Sequence, residues 1–438
     1  MSRTLHGGGP LVGSLAVPGD KSIAHRTLIF AGLSPVPVTV HGLPDGADVA
    51  STQRAMAALG AWLESTADGA LRVEGVGASG IGEPAEVVDC GNSGTSMRLL
   101  AGLVAGAPQL TVLAGDASLS GRPMGRIIEP LRAMGATVLG RRGDSLPPLA
   151  IRGGALRGIC HRGRVASAQV KSCLLLAGLS AAGELEIHEP GPSRDHTERM
   201  LEWWGVKLTR EPGHVAMVGG QPLIPPCAEP TLAIPGDLSS AAFVLVAAAL
   251  RPGSDVTVEG IGINPTRTGI LDVLLEMGAD LEILHRDPVG GEPVADLRIR
   301  GGERLRPFQL GGERLVRCID EVPVLAVAAA LADGTSTVCD AADLRRKESD
   351  RLAAVAAELS ALGVSLEEQP DGLVINGRRS LESASVRSHD DHRMAMALAV
   401  ASGAAEGPIS LEGDEAVAIS WPGFFDAIEG LERGGDAP

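Results

Sequence analysis

The stretch VPGDKSIAHRT, residues 17–27, sets Lys21, Ser22 and Arg26 directly after a Pro-Gly turn. A short polar residue before an apolar run reads as a helix start, with Asp20 or Ser22 as its cap. Two cations beside the unpaired N–H groups of a helix N-terminus would hold a small anion. An ordinary solvated helix start accounts for the same residues. RRKESDRL, residues 345–352, spaces Lys347 and Arg351 four apart and Glu348 and Arg351 three apart. On a helix these share one face, which is also the pattern of a plain surface ion pair. SGRPMGRIIEP, residues 120–130, carries Arg122 in a Gly-flanked loop with no acid beside it. Such an Arg suits two-pronged capture of a phosphate or carboxylate.

Two further motifs invite stronger chemistry. SHDDHRM, residues 388–394, puts His389 and His392 beside Asp390 and Asp391. A metal centre needs three or four converging ligands, and no other segment has ligand spacing. Asp391 therefore reads as a cap and Arg393 as an anion contact. GVGASG, residues 75–80, has the glycine spacing of a dinucleotide loop, but IGEPAEVVDC follows. The strand–turn–helix context is missing, so a dinucleotide site is set aside.

A repeat places these residues. VPGDKSIAHRTLIFAGL from Val17 and IPGDLSSAAFVLVAAAL from Ile234 share apolar-PGD-x-S and then an apolar, small-residue helix. NSGTSMRLLAGLVAG, ASAQVKSCLLLAGLSA, DEVPVLAVAAALADG and DDHRMAMALAVASG repeat the second half. Each starts polar and turns almost wholly apolar, so each predicts a buried helix. Amphipathic helices ending in Gly follow most of them (TQRAMAALG, EPLRAMGA, RMLEWWGV, LDVLLEMGA, LAAVAAELSALGV). A Gly cap and then a β-prone run mark a helix-to-strand transition. Six units average roughly 73 residues, too long for a solenoid repeat. Three such units packed with buried helices parallel would bring three helix N-termini to one face, each with a partial positive charge of about half a unit. The polar starts hold Lys21, Ser22, Arg26, Asn92, Arg98, Ser167, Gln169, Ser239, Asp320, Glu321, Asp391, His392 and Arg393.

Composition narrows the partners. The 438 residues carry 54 acidic and 38 basic side chains, a net charge of -16, which argues against a nucleic-acid surface. Aromatics are 2 % with no Tyr, so stacking platforms are lacking and cores must be built from Ala, Val, Leu and Ile. The six Cys are scattered without a close pair, which reads as reduced and intracellular rather than a disulfide frame or zinc site. The first residues show no signal-peptide core, and the longest apolar runs fall short of the roughly 20 residues of a membrane span. A cytoplasmic protein is expected.

PGDKSIAHR, GNSGTSMR, SGRP, ASAQVKS, RDHTE, PGDLSSAAF, IDEVP, RRKESDR and DDHRMAMA occur in this order across nearly the whole chain. Together they resemble the 5-enolpyruvylshikimate-3-phosphate synthase family. The resemblance implies an α/β (α+β) fold of two similar domains, each of three βαβαββ-type repeats with buried parallel helices, an inside-out α/β barrel. It implies one domain of residues 1–18 plus 234–438, a second of 19–233, and an active site in the cleft between them. It implies transfer of the enolpyruvyl group of phosphoenolpyruvate to the 5-hydroxyl of shikimate 3-phosphate, with phosphate released, by a monomer without cofactor, metal, nucleic-acid or membrane partner.

Carried onto this sequence, the family's shikimate 3-phosphate contacts are Lys21, Ser22, Arg26, Ser167, Ala168, Gln169, Arg194, Asp320 and Lys347. Its phosphoenolpyruvate contacts are Lys21, Gly94, Arg122, Gln169, Arg351 and Arg393. The implied catalytic groups are Lys21, Asp320 as base for the hydroxyl, and Glu348 with Lys21 for proton transfer at the enol carbon. Gathering two phosphates and two carboxylates needs local cations, since a close like-charge pair costs about 4 kcal/mol at an effective dielectric near 20. The overall acidity does not forbid this, because screening limits distant charges to about 10 Å. The best-known form of the family has Ser at Ala168, Pro at Leu99 and a Lys near Ile419. Ala168, Arg194 and IDEVP resemble a herbicide-tolerant class, which commonly has Ala where Gly94 stands; Gly94 predicts inhibition by glyphosate. The sister enzyme acting on UDP-N-acetylglucosamine uses a loop Cys that the segment around Arg122 lacks. A binding module without turnover would need the cations but not Asp320 and Glu348.

Overall fold

In a computed structural model of the protein, residues 2–77, 80–302 and 304–434 are described. Ala78 and Ser79, inside GVGASG, lie outside them. The chain divides into two units. One comprises Met1–Pro18, Pro235–Asp287 and Pro293–Pro438; the other comprises Gly19–Ile234 and Pro288–Glu292. Two of the passages between the units fall inside the PGD repeats, between Pro18 and Gly19 and between Ile234 and Pro235. The segment Pro288–Glu292, at the turn between the strands Asp280–Val289 and Glu292–Arg300, groups with the second unit although its arms belong to the first.

Within each unit one small motif recurs three times. In the Gly19–Ile234 unit, Val88–Asp89 runs parallel to Leu110–Ala114, which pairs antiparallel with Leu146–Arg152, which pairs antiparallel with Thr137–Gly140. Cys160–Arg162, Glu184–His188, His214–Val218 and Thr209–Glu211 repeat that order, as do Thr231–Ala233, Val38–His41, Leu71–Glu74 and Trp62–Ser65. In the other unit, Gln309–Leu310, Thr335–Val338, Gly372–Asn376 and Ser365–Gln369 follow the same scheme, and so do Val12–Ala16, Asp255–Gly262, Glu292–Arg300 and Asp280–Val289. The third copy is shorter: Ser385–Arg387 lies parallel to Ile409–Glu412, whose other edge takes Ser2–Leu5. These six sheets are open, and none closes into a barrel among the described residues.

The six apolar helices predicted from the repeat are all present: Lys21–Gly32, Gly94–Ala105, Ala168–Gly178, Leu238–Ala249, Val322–Ala330 and His392–Ser402. Every residue of Leu238–Ala249 and of Val322–Ala330 is buried, so these helices have no solvent face. The strands instead alternate, as in Leu110–Ala114, with one face in and one face out. Each unit is thus helix-cored and sheet-covered, the inside-out arrangement expected of it. Small residues make this packing possible. A methyl on Gly102 would stand 2.0 Å from the Cys173 carbonyl oxygen, so the helices Gly94–Ala105 and Ala168–Gly178 touch through bare backbone.

The predicted caps also form. Asp20 accepts from the Ile23 N–H at 2.9 Å, and Asp237 accepts from the Ser239 N–H at 2.9 Å. The five glycines that end the amphipathic helices all take positive φ, from +77° at Gly205 to +115° at Gly135, the conformation that stops a helix. Among the described residues no helix is long and apolar enough to cross a membrane.

Candidate functional site

In the Gly19–Ile234 unit, hydrogen bonds tie the first turns of three buried helices to one another. Gln169 donates to Thr95 Oγ1 at 3.0 Å and accepts from Arg98 Nη1 at 2.6 Å, which joins the starts of Ala168–Gly178 and Gly94–Ala105. His25 meets Thr52 Oγ1 at 2.7 Å, and Thr52 meets Ser96 Oγ at 2.7 Å, which joins Lys21–Gly32 to the same end. Three helix N-termini therefore share one face of this unit, with their unpaired N–H groups and dipoles directed there.

Arg26 is the deepest cation of this face. It is buried and donates Nε to Thr197 Oγ1 at 2.7 Å, Nη1 to the Ser22 carbonyl at 2.8 Å and Nη2 to Ser172 Oγ at 2.8 Å. Burial pulls its pKa down to about 10, and neighbouring Arg194 adds to that pull, while Glu198 and Asp20 oppose it. Lys21 is half-exposed and pairs with Asp48 at 2.5 Å. Arg122 donates to Asn92 Oδ1 at 2.7 Å and has Ser118 Oγ at 3.5 Å, so its partners here are neutral. Arg98 is pushed down to about 10 by burial and then by Arg122 and Arg126, the sign of cations crowded together. Gly94 opens its helix where a methyl would meet Arg98 Nη1 at 2.8 Å and Arg122 Nη1 at 3.4 Å. Ser167 caps Ala168–Gly178 and its own N–H donates to Glu189 Oε1 at 2.7 Å. Glu189 and Glu198 hold the buried Lys171 at 2.9 and 2.8 Å. Cations set this close at partly buried positions attract a small anion.

In the other unit the centre is Arg351, 1 % exposed. Its Nε donates to Asp391 Oδ2 at 2.8 Å, its Nη2 to Glu348 Oε2 at 2.6 Å, and its Nη1 to Asp320 Oδ1 at 3.4 Å. Lys347 also donates to Asp320 Oδ1, at 3.1 Å. Arg393 donates to the Asp320 carbonyl at 3.1 Å and lies 3.6 Å from Glu321 Oε1. Asp391 caps His392–Ser402 by accepting from the Arg393 N–H at 2.9 Å, as predicted. Burial raises the cost of charge on Glu348, but Arg351, a backbone hydrogen bond and Arg393 together outweigh it and hold the carboxyl below its usual value.

One expectation needs correcting. Lys347, Glu348 and Arg351 do not share a helix face. The chain makes a 3₁₀ turn over Ala342–Arg346, and the helix Arg351–Ala361 begins only after Asp350, which caps it by accepting from the Ala353 N–H at 3.1 Å. Lys347 and Glu348 lie in the connection before it, which frees Lys347 to reach Asp320 while Glu348 reaches Arg351. The two histidines of SHDDHRM part company: His389 bonds Glu358 at 2.7 Å, while His392 is buried and pulled down to about 4 by burial and Arg393. Ile419 ends a 3₁₀ turn and is half exposed, with no cation at that position.

The predicted residues therefore fall into two sets. Lys21, Ser22, Arg26, Gly94, Arg122, Ser167, Ala168, Gln169 and Arg194 lie in one unit; Asp320, Lys347, Glu348, Arg351 and Arg393 lie in the other. Residues not foreseen are Asp48 on Lys21 and Thr197 and Ser172 on Arg26; Asp391 was foreseen as a cap but not as the partner of Arg351. Thr197 stands inside the motif RDHTE, so a signal for it existed. Asp48 looked like any acid in a first helical turn.

The chain is similar to known proteins over nearly its whole length. A family model described as EPSP synthase (3-phosphoshikimate 1-carboxyvinyltransferase) matches residues 5–428. The 3-phosphoshikimate 1-carboxyvinyltransferase of Synechococcus sp. (strain RCC307) is 51 % identical over 437 residues, covering 99 % of this chain and 99 % of the relative. That of Desulforamulus reducens is 46 % identical over 419 residues, covering 96 % of each. The solved EPSP synthase of Acinetobacter baumannii superposes with a TM-score of 0.91 at 40 % identity, covering 99 % of this chain and 98 % of that one. The enolpyruvyl transferase NikO of Streptomyces tendae, at 19 % identity and a TM-score of 0.77 over 98 % of this chain and 96 % of that one, shares the fold.

Proposed function

This chain belongs to the EPSP synthase family, the 3-phosphoshikimate 1-carboxyvinyltransferases, and from that premise we propose how its residues divide the work. The enzyme moves the enolpyruvyl group of phosphoenolpyruvate onto shikimate 3-phosphate and releases phosphate, a step of the shikimate pathway to aromatic amino acids. Lys21, Ser22, Arg26, Ser167, Ala168, Gln169, Arg194, Asp320 and Lys347 receive shikimate 3-phosphate. Lys21, Gly94, Arg122, Gln169, Arg351 and Arg393 receive phosphoenolpyruvate.

The observation that carries this reading is Arg351, which holds two carboxylates, Asp320 and Glu348, among cations. A pure anion trap gains nothing from acids there; a proton-transfer site needs them. In the addition step the substrate 5-hydroxyl attacks C2 of phosphoenolpyruvate. Asp320 takes the hydroxyl proton, and Glu348, working with Lys21, gives a proton to C3. In the elimination step a methyl proton returns to the protein and the C2–O bond to phosphate breaks. Glu348 is ionised in the free enzyme, so it must first gain a proton. The incoming phosphate and carboxylate groups draw on Arg351 and Lys347 and add negative charge, which raises its pKa toward the working range. No cofactor or metal takes part. The enzyme works as a monomer in the cytoplasm.

Phosphate release on mixing the protein with phosphoenolpyruvate and each of two acceptors tests the reading. Release with shikimate 3-phosphate and not with UDP-N-acetylglucosamine is expected. Loss of that release in Lys21→Ala and in Arg351→Ala, with retained folding, is expected as well. Unchanged turnover in either variant would remove the corresponding set from the active site.

A further inference from the structure

Away from these residues, one sheet of the Gly19–Ile234 unit collects metal-ligating side chains that are scattered in sequence. Its register sets Cys160 opposite Glu186, and His188 opposite His214. Directly paired residues point to the same face of a sheet, and residues two apart on one strand do as well. Cys160, Glu186, His188 and His214 therefore stand together on one face, supplied by three strands. The Cys160 Sγ, a Glu186 carboxylate oxygen and a His188 ring nitrogen all lie within 4.8 Å of one another. Ala216, paired with Glu186, contributes only a methyl to this face and leaves room above it.

The distances suit a tetrahedral ion. His188 Nε2 is 3.3 Å from Glu186 Oε2. A tetrahedral site with metal–ligand bonds of about 2.0–2.1 Å has edges of about 3.3 Å. The His214 ring stacks on His188 with centroids 4.5 Å apart, so it braces that ligand's ring rather than reaching the ion itself. The donor set decides the ion. A thiol, an imidazole and a carboxylate suit a borderline-soft divalent cation, and they do not suit Mg²⁺ or Ca²⁺, which take oxygen ligands. One thiolate and one carboxylate balance the two charges of such an ion. Of the flanking residues on this face, Arg162 opposite His188 and Glu211 opposite His214 cancel.

We propose that Cys160, Glu186 and His188 form a binding site for a Zn²⁺-class cation, with water in the fourth position, that ties two strands of this sheet together. The sequence hid it because its ligands come from positions 160, 186 and 188, with no close Cys pair. None of the three belongs to the residues assigned to enolpyruvyl transfer, so the site is structural rather than catalytic.

Cobalt titration of the full-length protein, reduced and freed of metal by a chelator, tests this. Co²⁺ should give one equivalent of a near-ultraviolet thiolate charge-transfer band together with the strong visible bands of tetrahedral cobalt. Zn²⁺ should displace it and Mg²⁺ should not. Cys160→Ser should abolish the thiolate band. His188→Ala, on a different strand, should weaken binding by more than the roughly 10–100-fold that loss of an outer-shell partner costs. Both variants should keep metal-free phosphate release, which confirms that they fold. Absence of the band in the wild-type protein overturns the proposal. So does a band that survives Cys160→Ser, because Cys227 and Cys339 are also exposed thiols, and so does unchanged affinity in His188→Ala.

Discussion

Arg351 donates its Nε to Asp391 Oδ2 at 2.8 Å, and neither side chain meets solvent. Asp391 thereby does two things at once. It caps the helix His392–Ser402, and it fixes the guanidinium that reaches Asp320 and Glu348. Asp391→Asn keeps a capping oxygen and removes the charge, so it isolates the second task. Leaving one partner of a buried pair uncompensated costs about 3–5 kcal/mol. The remaining acids on Arg351 place the expected loss at the lower end of that range, read from urea unfolding. The KM for phosphoenolpyruvate should rise at least about tenfold, which is about 1.4 kcal/mol. Burial disfavours the Asp391 charge, but Arg351 more than offsets it and holds the carboxyl below the usual range. Its contribution is thus present above about pH 4 and is lost as pH falls further. A variant as stable as the wild type at pH 7 would show that this pair does not hold the site.

Glu348→Gln separates the proton-transfer role from charge balance. The amide still occupies the space beside Arg351 but carries no transferable acid proton. Turnover should fall by about 10²–10⁴. Shikimate 3-phosphate affinity, measured by calorimetry, should change little. Asp320→Asn should lose turnover in the same way, and it should also weaken shikimate 3-phosphate binding, because Asp320 contacts that substrate. Turnover left intact in Glu348→Gln would assign the proton to another group.

Much of this arrangement was legible locally. Asp20, Asp237 and Asp391 were readable as caps because a cap acts within three residues of itself. The six apolar helices were readable because each turns almost wholly apolar after its polar start. What could not be read depends on distant partners. Arg26 meets Thr197 and Ser172, 171 and 146 positions away. The spacing of Lys347, Glu348 and Arg351 suggested one helix face, but Asp350, one residue before Arg351, is the stronger start signal and takes the cap. The i,i+3 contact between Glu348 and Arg351 survives outside the helix. Four-residue spacing reports possible adjacency; the cap decides which residues are helical.

Gly94 carries the sequence's most direct statement about inhibition. A methyl there would sit 2.8 Å from Arg98 Nη1, the atom that also holds Gln169 Oε1 at 2.6 Å. Arg98 is the far end of a flexible side chain, so it can move, and Gln169 moves with it. The wild-type enzyme should be inhibited by glyphosate well below about 1 mM, a binding free energy stronger than about −4.1 kcal/mol. Gly94→Ala should weaken that inhibition by more than it raises the KM for phosphoenolpyruvate, because the inhibitor is the longer molecule. Steady-state kinetics at varied phosphoenolpyruvate reads both numbers. Equal shifts in the two would mean that the methyl acts through Arg98 alone, without crowding the inhibitor.

His25 should give the protein a stability slope on the acid side of neutrality. Burial, then Lys21 and Arg26, pull its pKa down from 6.5 to about 3. The unfolded chain binds a proton at pH 5 that the folded chain refuses. Unfolding therefore takes up a proton, and stability must rise with pH between about 3 and 6.5, by up to about 1.4 kcal/mol per unit. His392, held at about 4, contributes with the same sign over the upper part of that window. Unfolding free energies at pH 7, 6 and 5 measure the slope. His25→Gln, whose amide can still meet Thr52, should be shallower than the wild type, and His25→Gln with His392→Gln shallower again. A single variant that keeps the full slope would mean that His25 takes up its proton in the folded enzyme, and that Lys21 and Arg26 stand farther from it in solution than their positions here allow.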